Sequence, residues 1–412
     1  MFSRSVFNDY SSEVFDVCYR DRIEDPPMTR DEEVEKRAAA HALVQSKYDT
    51  GVPFFTKDVF RDLARQFEAN GGPDGKISVT GLDGVTVHIP LKTGQEYPRR
   101  PYGDDFVCIV AKPIVHYRGI QNLLDKRPIP AGGDVPFYMN SIREIYLPVD
   151  VSHLVEVRDA QTKELVSVLP VADHDTVKQR LDQMRQSLEA SEHFAQIRST
   201  LVSVALPSGI AKIVALACST MTERDPPECS LAQHALVLML RDFLSRDSSK
   251  SGTGSGGPGS TRIQCFAQEP RYLPIDEQVL RENGVTVLDD PGAFVEIDET
   301  SVVLSIAPDI PVREIVADIA RPAIMIWDKV VVKDKSTLWT DPVTPRVERM
   351  MEDYIELPFP PNDELFGDVA IYVRKGDSKV NRPGQAQQVV GEQRLGVSVD
   401  AHVEGQHGSG KL

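Results

Sequence analysis

The stretch that decides the fold is Ile213-Val-Ala-Leu-Ala-Cys-Ser-Thr220, an apolar run that ends in small polar residues. An apolar helical pattern follows it at residues 231–244, with Ser230 at the predicted N-cap position. The same succession of strand, turn and helix then recurs, with strands at residues 263–267, 285–288, 302–306 and 323–327 and helices at residues 275–283 and 312–320. Continuous apolar strands that alternate with helices are typical of a parallel sheet covered on both faces. We therefore predict an α/β fold whose C-terminal half is an open, mostly parallel, Rossmann-like sheet.

Two helices are predicted near the start of the chain. Residues 30–48 form a charged helical pattern, and Thr29 and Glu32 have the spacing of a capping box. Residues 57–69 carry apolar side chains on one side only, and Thr56 stands at the N-cap position. We expect the second of these helices to pack against a core.

Strands are predicted between these helices and the sheet, because apolar and polar residues alternate there. One β-hairpin is expected around the turn at residues 81–84, and another around Asp159 with its second strand at residues 165–168. Residues 106–110 are predicted as a short buried strand. Residues 176–188 are predicted as a helix that continues as a second helix to residue 204, and together they form a helical connector. These patterns predict an α+β N-terminal module that precedes the sheet.

The predicted organisation has four parts along the chain. They are a charged helical extension (residues 1–50), the α+β module with its connector (51–205), the α/β domain (206–375) and a disordered tail (376–412). A Ser/Gly-rich stretch at residues 245–260 is predicted to be a flexible insertion in the α/β domain. The tail is polar and rich in glycine, a composition that does not favour a packed core.

Composition argues against several classes of protein. The net charge of -16 repels nucleic-acid phosphates, and no Lys/Arg cluster reverses it locally, so no nucleic-acid partner is predicted. No stretch approaches the roughly 18 apolar residues of a membrane span, so no membrane partner is predicted. The five cysteines lack CxxC spacing, which argues against structural zinc and disulfides. We expect reduced thiols, no metal and a cytoplasmic location, with the nucleus as the alternative.

Six segments of the second half stand in a recognisable order: Ile213-Val-Ala-Leu-Ala-Cys-Ser-Thr220, Leu231-Ala-Gln-His-Ala235, Cys265-Phe-Ala-Gln-Glu-Pro270, Gly284-Val-Thr-Val-Leu-Asp-Asp-Pro291, Ser305-Ile-Ala-Pro-Asp309 and Ala320-Arg-Pro322. In order and spacing they resemble the SRR-like domain, a family named for plant mutants with sensitivity to red light reduced. The resemblance covers about residues 208–330 and is greatest to the fungal branch of the family. It implies a regulatory role in signalling, without an agreed reaction.

Three positions depart from the family pattern. The family's first strand usually ends in a Gly-rich turn, whereas Ala215 and residues 217–219 stand here. The family's Asp-Pro is replaced by Glu269-Pro270, and its later Pro-His-Cys by Pro308-Asp309-Ile310. Because a close approach of the backbone to a cofactor phosphate usually needs glycine, these departures favour a degenerate nucleotide-type fold.

Candidate ligand residues follow from the expected topology. In open parallel sheets, ligands bind beyond the carboxyl ends of the strands. The residues expected there are Cys218, Ser219, Gln268, Glu269, Asp289, Asp290, Asp309 and Asp328. Several carboxylates in one crevice can raise a pKa for acid-base chemistry or hold a metal. The same residues are also common as caps of turns and helices, and both interpretations stay open.

A cysteine and a histidine form the second candidate. Cys218 would be a nucleophile if a base lay nearby, and His234, one turn into the next helix, is the candidate base. The alternative is an inert buried cysteine and a histidine that packs against the sheet, because no third orienting residue can be identified.

The sequence therefore predicts a regulatory or signalling protein that has protein partners and whose crevice has kept a small-molecule ligand. The alternative is a Rossmann-like enzyme, of methyl transfer or hydrolysis, that uses the acidic residues at the strand ends. No motif identifies a cofactor.

Overall fold

A computed structural model describes residues 18–19, 23–70, 72, 75–97, 104–124, 140–166, 171–222, 228–248, 263–331 and 340–376. The predicted tail lies outside these residues apart from Gly376. The predicted insertion lies outside them from residue 249 onward, and its first residues belong to a helix that ends at Ser248.

The helices and strands follow one another in this order, numbered along the chain: β1 (Cys18–Tyr19), α1 (Arg30–Asp49), α2 (Lys57–Asn70), β2 (Lys76–Thr80), β3 (Thr86–Pro90), β4 (Phe106–Tyr117), α3 (Ile120–Leu123), α4 (Ile142–Ile145), β5 (Val149–Asp159), α5 (His174–Ala190), α6 (Glu192–Val202), β6 (Lys212–Leu216), α7 (Glu228–Ser248), β7 (Gln264–Gln268), α8 (Pro274–Glu282), β8 (Val285–Val287), α9 (Gly292–Glu296), β9 (Ser301–Ser305), α10 (Val312–Ile319), β10 (Ile324–Asp328), α11 (Pro345–Met351), β11 (Tyr354–Pro358) and β12 (Val369–Arg374).

The C-terminal half is built on a seven-stranded sheet with the order β11-β12-β10-β9-β6-β7-β8. Five neighbouring strands of this sheet are parallel to one another: β8, β7, β6, β9 and β10. Counted from β6 along the chain, their order is 3-2-1-4-5, which is the Rossmann type, and the order reverses between β6 and β9. The predicted α/β fold with a mostly parallel sheet is thus confirmed. We call the side of the sheet at which the parallel strands end the carboxyl edge. It holds Cys218, Glu269 and Asp309, which follow β6, β7 and β9.

Each strand of the parallel sheet contributes apolar side chains to two cores, because successive residues point to opposite faces. On one face Ile213, Leu304 and Ile326 pack with helices α5 to α8. On the other, Val214 and Met325 pack with α9 to α11 and with the N-terminal module. The sheet is therefore covered on both faces, as continuous apolar strands require.

The N-terminal module joins the second of these cores. Its largest sheet is β1-β5-β4, in which the long strands β4 and β5 are antiparallel, and β2 and β3 form a separate hairpin. Phe55, Phe60 and Leu63 are buried in the same cluster as Phe294 of α9. Phe60 packs against Tyr117 and Phe294 with ring centroids 6.0 and 5.5 Å away. The division of the chain at residue 205 stays a prediction, but this core crosses it.

Buried acidic side chains also join the module to the sheet. Asp290, just beyond β8, accepts hydrogen bonds from the backbone N–H of Val115 (2.6 Å) and the hydroxyl of Tyr117 (2.5 Å). Glu314 of α10 accepts one from the backbone N–H of Ile120 at 3.2 Å. Burial raises the pKa of Asp290 to about 6 and that of Glu314 to about 8.

An ion pair completes the junction. Asp318 of α10 accepts hydrogen bonds from the backbone N–H groups of Phe54 (2.6 Å) and Phe55 (3.1 Å). Arg346 of α11 lies 2.9 Å from Asp318, donates to the carbonyl of Val52 at 2.7 Å and stacks 4.6 Å from the ring of Phe54. The carboxylates of the C-terminal half thus bind backbone groups of the N-terminal module.

The structure bears on three local predictions. The hairpin predicted around Asp159 is confirmed in its described part, because Arg158 pairs antiparallel with Leu165 and the backbone N–H of Val166 donates to the carbonyl of Val157 at 2.8 Å. The rest of its second strand, residues 167–168, lies outside the described residues, and the longer partner of β5 is β4. The strand predicted at 106–110 needs correction, since it extends to Tyr117 along β5. The connector forms two helices as predicted, α5 and α6, and the hydroxyl of Ser191 between them caps the N-terminus of α6.

Helix α7 begins before Ser230, the predicted N-cap, and the hydroxyl of Ser230 instead donates to the carbonyl of Ser219 at 3.2 Å. The structure also adds α11, β11 and the reversed strand β12, which the sequence patterns did not predict. Strand β12 is antiparallel to both β10 and β11.

Candidate functional site

The turns after β6 and β9 have an unusual backbone. Among the described residues, four non-glycine residues have a positive φ, and three of them, Ala217 (56°), Ser219 (59°) and Ala307 (50°), lie in these two turns. This conformation costs a residue with a Cβ roughly 1–2 kcal/mol. Strained residues tend to cluster at functional sites. The place where the strand order reverses is therefore the candidate site.

Each of these turns is held by a carboxylate from the neighbouring outer strand. Glu269, just after β7, accepts hydrogen bonds from the backbone N–H groups of Ser219 and Arg271, both at 3.0 Å. Asp328, the last residue of β10, accepts one from the backbone N–H of Ala307 at 2.8 Å. Burial raises the pKa of Glu269 and that of Asp328. Both acids act as turn caps in this structure.

A third carboxylate ties the turn after β6 to helix α8. Asp276, buried in the first turn of α8, accepts hydrogen bonds from the hydroxyl of Thr220 (2.6 Å) and the backbone N–H of Met221 (2.8 Å). It also accepts one from the backbone N–H of Leu273 at 2.9 Å. The turn is thus fixed at both of its ends.

Cys218 lies within this turn and is buried, with 1% of its surface exposed. Burial raises the pKa of its thiol far above the usual range, and the nearby carboxylate of Glu269 raises it further. Because only the thiolate is a good nucleophile, this cysteine is not activated in the structure.

His234 is buried on α7 and has a partner at each ring nitrogen. Nδ1 lies 2.7 Å from the carbonyl oxygen of Ser230, and Nε2 lies 2.6 Å from the hydroxyl of Tyr272. A carbonyl only accepts, so Nδ1 carries the proton and Nε2 accepts from Tyr272. Burial lowers the pKa of His234 and raises that of Tyr272. Both groups are therefore neutral and bonded to each other.

The comparison with protein families bears on this same region. Residues 184–373 match the family model of the SRR1 domain. This stretch of the chain is therefore similar to the SRR1 domain family. The match begins within α5 and ends within β12, so the matched region includes β11 and part of the reversed strand β12. No curated protein and no solved structure matches the chain. The likeness to the fungal branch stays a prediction.

The structure divides the predicted site residues of the matched region into two groups. Cys218, Ser219 and Glu269 lie together at the turn after β6, with His234 joined to it through Ser230. Asp309 stands exposed at the end of β9, and its charge raises the pKa of Glu269 further. It has no hydrogen bond or ion pair among the described residues.

The second group faces the N-terminal module instead. Gln268 donates to Asp290 at 2.7 Å and accepts from the backbone N–H of Ala293 at 2.8 Å. Asp289 pairs with Lys112 at the surface, at 2.9 Å. These three residues hold the junction with the module and do not converge with Glu269, because their side chains are bound to other elements.

Two residues of the site were not predicted. Asp276 has a sequence signal, since it follows Pro274 in the first turn of a predicted helix, where an acid serves as a cap. Tyr272 has none, because its partner His234 is 38 residues away. Within the residues that the structure describes, no group of three or more His, Cys, Asp or Glu side chains could hold a metal ion. No helix among them is long and apolar enough for a membrane span.

Proposed function

We propose that the SRR1 domain of this protein regulates through binding, and that its Rossmann-type crevice does not take a phosphate-bearing cofactor. The single observation that carries the proposal is the pair of carboxylate caps. In Rossmann-type domains, backbone N–H groups of the first turn bind phosphates. Here Glu269 and Asp328 occupy the N–H groups of Ser219 and Ala307.

Electrostatics supports the same conclusion. Glu269, Asp309 and Asp328 lie at one edge, and a phosphate placed there would meet like charges. The turn has the positive φ angles that a Gly-rich turn would have, although Ala217 and Ser219 replace glycine. The shape of a nucleotide-type turn is thus kept while its anion-binding groups are used internally, which fits a degenerate nucleotide-type fold.

The candidate catalytic groups are also engaged in the fold. Cys218 is buried as a thiol, and His234 has both ring nitrogens bonded. The nucleophile and base of an enzyme need a free, activated pair. We therefore favour regulation in a signalling process, through protein partners and an uncharged or cationic small ligand, in the cytoplasm or nucleus.

The carboxylate caps can be tested by chemical denaturation. In Glu269→Gln, an amide N–H replaces one accepting oxygen and faces a backbone donor. We expect a loss of about 1–2 kcal/mol in the free energy of unfolding. Asp309→Asn is the matched control at the same edge and should change it by less than about 0.5 kcal/mol. Stabilisation of Glu269→Gln would contradict the proposal, because acids in a ligand site destabilise the free protein.

One observation favours the enzyme as a second candidate. In Rossmann-type domains a carboxylate beyond the first turn binds ribose hydroxyls, and Glu269 holds the corresponding place after β7. S-adenosylmethionine carries a ribose and a positive charge but no phosphate, which suits an acidic crevice. If S-adenosylmethionine raises the melting temperature of the wild type and not of Glu269→Ala, methyl transfer is favoured over regulation.

A further inference from the structure

A cavity lined by arginines lies away from the carboxyl edge, in the helical layer over the core formed with α5 to α8. It encloses about 110 Å³ between three helices. Arg185 of α5, Arg198 of α6 and Arg246 of α7 line it, and its apolar wall includes Phe194 and Phe243. We call it the arginine cavity.

The charges of the arginine cavity are only partly balanced within the protein. Arg185 pairs with Asp242 at 2.6 Å, and Asp242 also pairs with Arg241 at 3.0 Å. Arg198 lies over the ring of Phe243 at 5.9 Å, and neither it nor Arg246 has an ion pair among the described residues. Two exposed guanidinium groups therefore meet at one opening, in a protein whose net charge is -16.

One acid opposes this positive field. Glu189 lies on the same rim, exposed, one helical turn beyond Arg185. Its carboxylate competes for the same guanidinium groups. Removal of its charge should therefore strengthen the binding of an anion, whereas removal of an arginine should weaken it. A purely structural cluster would show no such opposite effects.

The size and the wall of the cavity define the ligand. About 110 Å³ is the room of a few water molecules at ~30 Å³ each, enough for one phosphate group. It is well below the roughly 300 Å³ at which pockets for whole small molecules begin. Arginine binds phosphate through two parallel N–H donors. The rings of Phe194 and Phe243 favour an aromatic or apolar group beside the phosphate.

We infer that the arginine cavity is a binding site for a phosphate monoester carried on an aromatic or apolar group. Arg198 and Arg246 bind the phosphate oxygens, Arg185 stays anchored by Asp242, and the phenylalanine rings contact the attached group. The site is separate from the proposed crevice, where carboxylates oppose phosphate. In this protein, phosphate would then bind in the arginine cavity and not in the crevice at the carboxyl edge.

The inference is tested by calorimetric titration of the full chain with phenyl phosphate, inorganic phosphate and phenol. Phenyl phosphate should bind most tightly, inorganic phosphate more weakly, and phenol not measurably. Arg198→Ala and Arg246→Ala should each weaken the binding of phenyl phosphate about tenfold or more, and Lys at either position should restore only part of it. Glu189→Gln should tighten it severalfold.

Arg281→Ala is the control, because Arg281 is an exposed arginine of α8 outside the cavity. Thermal melts of each variant check folding, which Arg198 and Arg246 should not affect because both are exposed. A phosphotyrosine peptide distinguishes the sources of the ligand. If the peptide binds much more tightly than phenyl phosphate, the ligand is a phosphorylated protein. If the two bind equally, the ligand is a free phosphate ester. Unchanged binding in both arginine variants, or no binding of phenyl phosphate, would overturn the inference.

Discussion

At the carboxyl edge of the sheet, Glu269 and Asp328 accept hydrogen bonds from the backbone of neighbouring turns of the same domain. On the face below, Asp290 and Asp318 accept them from the backbone of a module far away in sequence. Both pairs of acids accept hydrogen bonds from backbone N–H groups, but Asp290 and Asp318 lie in the junction between the module and the sheet, which an apolar core covers. An acid at the end of a strand is therefore not evidence of a ligand until its own hydrogen-bond partners are known.

Loss of a charged side chain should lower the free energy of unfolding far more at the junction between the module and the sheet than at the protein surface. In Arg346→Ala, Asp318 and the carbonyl of Val52 lose a buried partner, and we expect a loss of about 3–5 kcal/mol in the free energy of unfolding. Urea denaturation with a constant m-value measures it. Arg281→Ala, which removes an exposed i,i+4 ion pair, should cost less than about 0.5 kcal/mol. Similar losses in both variants would remove the distinction between the two regions.

The junction should also weaken as pH rises. Glu314 keeps its proton up to about pH 8 in the folded protein, whereas its ordinary pKa is 4.5. Its contribution is complete below about pH 4.5 and is lost as pH rises through about 8. The groups that face it are Tyr48, Asp318, Asp341 and Arg346.

We expect the free energy of unfolding to decrease by an amount on the order of 2–4 kcal/mol between about pH 5 and pH 9. Asp290, whose pKa is raised to about 6, contributes in the same direction near the lower end of this pH range. Glu314→Gln removes the titrating group and should flatten this decrease when denaturation is repeated across the same pH range. A decrease of equal size in Glu314→Gln would assign the effect to other groups.

The smallest effect belongs to the strained turns at the edge. Ala217→Gly and Ala307→Gly remove a Cβ from a backbone with positive φ and should stabilise the protein by up to about 1 kcal/mol each. Ala215→Gly, within β6, is the matched control and should destabilise it by about 0.5–1 kcal/mol, because glycine weakens a strand there. Thermal denaturation of the three variants gives the comparison. Destabilisation by all three would show that the turns are not strained.

The parallel part of the fold is predictable from the sequence because each strand is a short apolar run between a turn and a helix. Strands β11 and β12 escape this pattern. In β11 apolar and polar residues do not alternate regularly, since Ile355 is exposed and Pro358 stands at the end. Its sequence therefore shows neither the two-residue period of a strand nor the 3.6-residue period of a helix. The pairing of β5 with β4 also escapes it, because the two strands are far apart in the sequence.

The site is predictable only as a set of positions. Topology alone brings Cys218, Glu269 and Asp309 to one edge. It does not reveal that Asp290 binds Tyr117, 173 residues away, because no local pattern encodes such a contact. Nor does it reveal the positive φ of Ser219, since the glycine that normally signals this conformation is absent.

The position of β12 has a consequence for the order of synthesis on the ribosome. This strand is made after β10 and β11 and yet lies between them. Until the last residues of β12 leave the exit tunnel, β11 has no neighbour and β10 presents an open, hydrophobic edge, which is a template for aggregation. A stop codon before Val369 would make that exposed edge permanent, and we expect such a truncated chain to aggregate.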